Sequence, residues 1–345
     1  MQTRCYTVKS WRKLGMLLLE TSGVNRHDAR AIADALITGS LRGVDSHGVR
    51  NLPYFTQKRR GRGMKIMKET TGTALLDAGN KWGPVSAKKS MEIALLKARK
   101  NGIGSCCVVN GDWITNLSHF SMMAINSNMI GMVFAREGPV CAPWGGTKPI
   151  MGTNPMSIAI PTAGSYPIVL DFATTMVAQG HIKSYLLEGK PLPEGWLIDR
   201  RGAPVKGYDL TLEEFDDFWK KNGSLLPFGT YKGYGINVAI DVLCGALNLT
   251  GTGSRAKGQG VLTVAINIRS FVPFKKFVAE VSRLITEIKS SPRRPGFDEI
   301  LLPGEREHRI AMERNKYGIP IDDASWQEII MTSRGFGLDA ETIVH

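Results

Sequence analysis

No stretch of this 345-residue chain stays apolar over the roughly 18 residues that a bilayer span needs. Its start, Met1-Gln2-Thr3-Arg4-Cys5-Tyr6, lacks an apolar signal core, so secretion is not expected. Arg4, Lys9, Arg12 and Lys13 precede the first acid, Glu20, which leaves a basic organelle-targeting segment open. Cysteine is scarce: five residues, an odd number, without metal or redox spacing. Adjacent Cys106 and Cys107 lie in an apolar run, and successive strand residues face opposite ways, so they make poor co-ligands. Reduced thiols packed in a core are expected instead, together with a reducing compartment, the cytoplasm, and no metal site.

Two glycine fingerprints are also missing. Neither G-x-G-x-x-G nor G-x-x-x-x-G-K-[ST] occurs, so motifs alone do not point to a nucleotide enzyme. Internal repeats and low-complexity segments are absent too. Acids are outnumbered, 31 against 44 Lys and Arg, for a formal charge of +13. The excess is dispersed apart from Lys58, Arg59, Arg60, Arg62, Lys65 and Lys68. That run has no interleaved aromatics and no recognition motif, so it is read as a solvated basic loop, with neither nucleic acid nor membrane as partner. An acidic membrane or nucleic-acid surface is the alternative.

What is present is an alternation of helix and strand signals, which argues α/β or α+β. Val8 to Gly43 reads as helices, with Ala31, Ile32, Ala35, Leu36 and Leu41 at helical spacing and Gly43 as the stop. Ser86 to Asn101 is a second helical stretch ending at Gly102. Strands are expected at Ile103–Val109, Ile130–Ala135, Met156–Ile160, Pro167–Asp171 and Val261–Ile268. A polar stretch from Asn110 to Ser118 leads into a helix to Asn128. Gly235–Leu249 reads as a buried helix, Lys276–Lys289 as a strongly amphipathic one, and Gly304 onward as one or two short helices.

His47 is the most suggestive of six histidines, because it sits just past a helix end with Asp45, Ser46 and Arg50 around it. A near-neutral imidazole can pass a proton to an alkoxide, and a guanidinium can grip a carboxylate with two parallel bonds. The structural alternative is a loop histidine capping backbone groups. Asn154-Pro155 is either a turn baring N–H groups to a ligand or a plain turn. Asp171 ends an apolar strand, where ligands gather in α/β sheets, or caps a helix. Lys232-Gly233-Tyr234-Gly235 opens a helix, as an anion site or as a glycine-lined start with a solvated lysine.

In order along the chain, several stretches resemble the type-2 malate/L-lactate dehydrogenase family. They are Gly43-Val44-Asp45-Ser46-His47-Gly48-Val49-Arg50, Trp144-Gly145-Gly146, Gly152-Thr153-Asn154-Pro155, Leu170-Asp171-Phe172-Ala173-Thr174-Thr175, Gly189-Lys190-Pro191-Leu192-Pro193-Glu194-Gly195-Trp196, Leu226-Pro227-Phe228-Gly229, Lys232-Gly233-Tyr234-Gly235 and Leu302-Pro303-Gly304-Glu305. The resemblance runs from about Val24 to Trp326. It implies an NAD(P)-binding α/β domain without the standard Rossmann turn, a second domain built from distant parts of the chain, and a small helical part. On this chain the segments fall at 1–80, 81–250 and 251–345. It also implies NAD or NADP as cofactor, a small 2-hydroxy or 2-oxo acid as substrate, and a homodimer. By position, His47 corresponds to the proton-donating histidine, with Ser46 beside it, and Arg50 to a holder of substrate carboxylate. Asp171, Phe172, Ala173, Thr174, Thr175, Met176 and Val177, then Lys232 with Gly233, and Gly304, Glu305 and Arg306, correspond to cofactor-contacting segments. Positive potential would help gather a pyrophosphate and a carboxylate.

Two departures stand out. Counting back from Ile130-Gly131 places Trp113 where the family carries a second active-site histidine. His119 follows six residues later, roughly 9 Å along a helix axis, and is a poor stand-in. Ala135-Arg136, with Glu137 beside them, replace the family's Thr-Asn. Either the substrate differs or catalysis is weakened. The rival to an active dehydrogenase is therefore a homologue that binds a dinucleotide with little or no turnover.

Overall fold

Threonine and asparagine at the ends of extended segments make good helix starts, and Thr7 and Asn25 act so here. The computed structural model of the chain describes residues 3–59, 61–164 and 166–345; Met1 and Gln2 of the chain start and Arg60 of the basic run lie outside the described residues. β1 (Thr3–Tyr6) runs into α1 (Val8–Thr21), whose first turn is capped by the Thr7 hydroxyl accepting the Ser10 N–H at 3.0 Å. The Asn25 side chain likewise accepts the Asp28 N–H at the start of α2 (Arg26–Leu41).

The chain then lays down β2 (Lys65–Glu69), β3 (Thr73–Asp77), α3 (Gly83–Asn101), β4 (Ile103–Gly111), the short α4 (Ser118–Ser121), β5 (Met129–Arg136), β6 (Met156–Ile160) and β7 (Ile168–Phe172). Next come α5 (Gln179–Leu187), β8 (Leu192–Ile198), β9 (Pro204–Gly207), α6 (Phe215–Lys220), β10 (Ser224–Leu225), α7 (Tyr231–Asp241) and β11 (Gln259–Asn267). The chain ends with α8 (Phe274–Ser290), α9 (Glu305–Tyr317), β12 (Ile319–Asp322), α10 (Asp323–Gly335) and α11 (Ala340–Val344).

Seven strands form one sheet in the order β2-β3-β4-β11-β5-β6-β7, with only the β3–β4 pair parallel. β11 lies in its middle, although it comes from the last third of the chain. The boundaries drawn at 80 and 250 thus run through the sheet, since β2 and β3 precede the first and β11 follows the second. Strand alternation sends Cys106 into the core beneath α3 and Cys107 to the opposite face with Ile240, Cys244 and Leu262.

A separate core unites both ends of the chain: Trp11, Leu14 and Leu18 of α1, Ile32 and Leu36 of α2, Phe55, and Trp326 and Ile329 of α10. A three-stranded sheet, β10-β8-β9, covers a third core around Cys141, Ile182 and Leu197. The described residues of the basic run fall on a surface loop, where Arg62 pairs with Asp77 at 2.9 Å, and on β2, the exposed outer strand. Charges on an edge strand discourage pairing with other chains. The Gly235–Leu249 stretch begins earlier than read, at Tyr231, and widens into a π-turn at Val242–Ala246; Val242, Leu247 and Leu249 are exposed rather than buried. α8 is amphipathic as read, yet none of its residues is buried.

Candidate active site

α2 ends where Gly43 takes φ 75°, and the chain turns through a short 3₁₀ segment, Asp45–His47. Two features pin it. Arg314 of α9 grips the Asp45 carboxylate through both terminal nitrogens, at 2.6 and 3.0 Å. Gly48 lies so close to α2 that a Cβ there would meet the Ser40 hydroxyl at 2.0 Å. Only glycine permits this contact, and the Ser40 Oγ then accepts the Val49 N–H at 3.0 Å.

So held, Ser46 and His47 line a cavity of about 550 Å³ with Asn51, Trp113, Thr115, Glu137, Thr153, Asp171, Phe172, Gln179 and Gln259 among its walls. Ser46 Oγ lies 2.9 Å from His47 Nδ1. With the Nδ1–H donating to this hydroxyl, Nε2 is the unprotonated nitrogen of the neutral ring. Burial, and secondarily the positive charge of Arg50, push the His47 pKa down to about 4.

Arg50 itself does not line this cavity. It lines a smaller one, of about 190 Å³, with Ser40, Asp45 and Asp322. The extended residue Gly48 breaks the turn between His47 and Arg50 and sends the two side chains apart. His47 and Arg50 thus face different cavities, and Arg50 reaches His47 through its charge. Arg50→Ala should raise the His47 pKa from about 4 toward the ordinary 6.5, because a charge opposing the imidazolium is removed. The acid limb of kcat/KM for alcohol oxidation, which needs neutral His47 as base, then moves to higher pH with a KM change below about threefold. A KM rise of about 100-fold with an unmoved limb would instead assign Arg50 to the substrate carboxylate.

The other expected positions divide. Asp171 and Phe172 line the main cavity and also a second one, of about 300 Å³, walled by Arg42, Val44, Ser118, Pro303, Gly304 and Glu307. Asp171 opens to both, and its Oδ2 accepts the Ser118 N–H at 2.7 Å. The surrounding protein strips enough water from the carboxyl to raise its pKa. Ala173 lines the main cavity. Thr174 and Thr175 are buried and structural: Thr174 donates to Thr153 O, and Thr175 to Val177 O. Val177 belongs to the third core, and Met176 is exposed.

Lys232 is exposed on the first turn of α7 and makes no ion pair among the described residues. Gly233 is required because a Cβ there would meet the Phe228 carbonyl at 2.1 Å. Gly304 faces the second cavity, but Glu305 turns inward, bonded to Lys289 at 2.5 Å, Arg309 at 2.6 Å and the Leu302 N–H at 3.0 Å. These partners outweigh burial and hold its pKa at about 2. Arg306 stays exposed.

Trp113 stands in the cavity wall, its ring 5.5 Å from that of His47 and stacked on Phe55. His119 is elsewhere. Its Nδ1 lies 2.9 Å from the Thr38 hydroxyl, which itself donates to Asp34 O, so His119 carries the Nδ1 proton. Three cavity features escaped the sequence. Thr115, a β-branched residue, adopts φ 65°, and its buried hydroxyl has no partner. Gln259 Oε1 is also buried without one. Glu137 presents its carboxyl to the cavity, where Thr153 Oγ1 donates to it at 2.7 Å and burial raises its pKa.

A histidine–serine pair lines a cavity that shares Val44, Asp171 and Phe172 with a second one beside Gly304, an arrangement suited to an α/β enzyme acting on a small polar molecule. Residues 7–330 match the model of the malate/L-lactate dehydrogenase family, and the chain belongs to that family. It is 35% identical over 342 residues to a malate dehydrogenase of Pyrococcus abyssi, covering 93% of this chain and 92% of that one. It is 34% identical to an L-sulfolactate dehydrogenase of Methanocaldococcus jannaschii, covering 96% and 97%. The fold is shared with the crystal structure of a malate dehydrogenase from Entamoeba histolytica, at TM-score 0.92 and 24% identity over 98% and 99% of the two chains. The chain is thus an NAD(P)-dependent dehydrogenase acting on CH–OH groups.

Proposed function

We propose that this chain interconverts a small 2-oxo acid and its 2-hydroxy acid, with His47 as the proton-transfer residue. The observation that carries the reading is the placement of Ser46, His47 and Asp171 around one cavity. The residues present fit a dinucleotide. Two cavities meet at Val44, Asp171 and Phe172, and each holds buried polar atoms without partners: Thr115 Oγ1 and Gln259 Oε1 in the first, Arg42 Nε in the second. When bound, the nicotinamide supplies or accepts the hydride. Asp171–Ala173 would bound it, Gly304 would face its distal part, and Lys232 and Arg306 would offer charge to its phosphates. Ser46 orients His47, which gives a proton to the oxygen in reduction and takes it back in oxidation. At neutral pH the free enzyme's His47 is unprotonated and ready as the base. Thr174, Thr175, Val177 and Glu305 support these segments from behind.

Absorbance at the reduced-nicotinamide band, followed with a panel of 2-oxo acids, tests the reading, and turnover is expected. Family membership does not favour the inactive rival; cofactor binding without turnover on any of them would revive it.

We also propose that the chain works as a homodimer in the reducing cytoplasm. The apolar face of α8 supports the first point: Phe277, Val281, Leu284 and Ile288 share a face, and none is buried within the chain. Five unpaired cysteines support the second. Sedimentation equilibrium should give twice the 37.8 kDa chain mass. Val281→Asp combined with Leu284→Asp should shift it to one chain mass.

A further inference from the structure

Among the described residues lining the main cavity, Glu137 and Asp171 are the acids and none is Lys or Arg. Arg50 lines the neighbouring cavity, and its charge is felt in the main one at His47. Glu137 follows the last residue of β5, and Gln259 is the first residue of β11. The register pairs Gly260 with Arg136, which makes Glu137 and Gln259 cross-strand neighbours. Both open on the same cavity. One offers a carboxylate and the other a buried amide oxygen with no partner.

We propose that Glu137 and Gln259 select a 2-oxo acid whose tail ends in an N–H donor, an amide or ammonium, rather than in a second carboxylate or sulfonate. This rests on the dehydrogenase reading above and gives the substrate class for the same site. The wall they form has acceptors to offer. The Thr153 hydroxyl donates to one Glu137 oxygen, and the other is left for a ligand. A donor tail satisfies both acceptors at once. An anionic tail finds no Lys or Arg along the cavity lining to pair with. Discrimination of this kind is large because the wrong tail leaves buried polar groups unpaired. Trp113 adds bulk beside the same space and leaves that wall's chemistry to the two acceptors.

The test compares oxaloacetate with its monoamide, 2-oxosuccinamate, which has the same shape and swaps carboxylate for carboxamide. Pyruvate, with no polar tail, is the control. Binding of each in the presence of reduced cofactor is measured by calorimetry alongside kcat/KM. The parent should favour the amide at least tenfold over oxaloacetate. Glu137→Gln should cut that ratio at least tenfold while pyruvate changes less than threefold. Gln259→Leu should weaken the amide about fivefold and leave oxaloacetate unchanged; it provides an independent variant if Glu137→Gln folds poorly. A parent preference for oxaloacetate, or a ratio unmoved in both variants, overturns the proposal. Loss of turnover on every 2-oxo acid would sink the dehydrogenase reading instead, and the binding ratio would still decide the tail.

Discussion

His47→Ala is expected to reduce 2-oxo acids about 10²–10⁴-fold more slowly than the parent. Cofactor binding should survive, because Asp171, Phe172, Gly304 and Lys232 belong to other elements. The loss should fall on kcat more than on KM, since the proton moves in the transition state. No second titrating histidine faces the cavity among the described residues: Trp113 occupies the place expected of one, and His119 is bonded to Thr38. The parent therefore has no obvious substitute for His47. Single-turnover absorbance with saturating cofactor reads the effect directly. A fall of less than about threefold would remove His47 from the chemistry and leave proton transfer to solvent or to another group.

Asn237→Ala should be the most costly single truncation around the site for stability. Asn237 is fully buried on α7 and joins three segments. Its Oδ1 accepts from Asn154 at 2.7 Å, and its Nδ2 donates to Gly152 O at 2.9 Å and to Thr174 Oγ1 at 2.8 Å. Alanine leaves several buried polar groups unpaired, at about 1–3 kcal/mol each, so a loss of about 3–5 kcal/mol is expected. In a chain of this size that lowers Tm by roughly 5–10 °C in calorimetry. Activity should fall as well. Asn154 Oδ1 accepts the Glu137 N–H, so the same network fixes the cavity wall. A Tm within about 1 °C of the parent would mean that water replaces the lost amide.

The position of His47 was legible because Gly43 is a clear helix stop and a run of polar residues follows it at once. β6 falls at Met156–Ile160 as read, since its apolar residues alternate cleanly between two turns. β8, β9 and β10 were missed, for they are short, rich in Gly, Pro and charge, and hold only by pairing with one another. That Arg50 faces a different cavity from His47 was not legible, because the extended Gly48 between them cannot be seen in composition. Glu137 was noticed only as the neighbour of Ala135-Arg136, because nothing in the sequence shows that Arg136 is fully buried and bonds to Gly258 O while Glu137 faces the cavity. Only the pairing of β5 with β11 brings it next to Gln259. The strand's inward alternation of Gly131, Val133 and Ala135 was the available signal that the next odd position points somewhere specific.

The central place of β11 has a consequence for synthesis. A ribosome delivers β4 and β5 more than a hundred residues before the strand that must lie between them. Until Gln259–Asn267 emerges, the nascent sheet is split, with two bare edges and their unpaired amides open to any passing peptide. The order of translation therefore leaves those edges open until β11 arrives, and a chain cut short before Gln259 is expected to aggregate rather than to fold as a smaller enzyme.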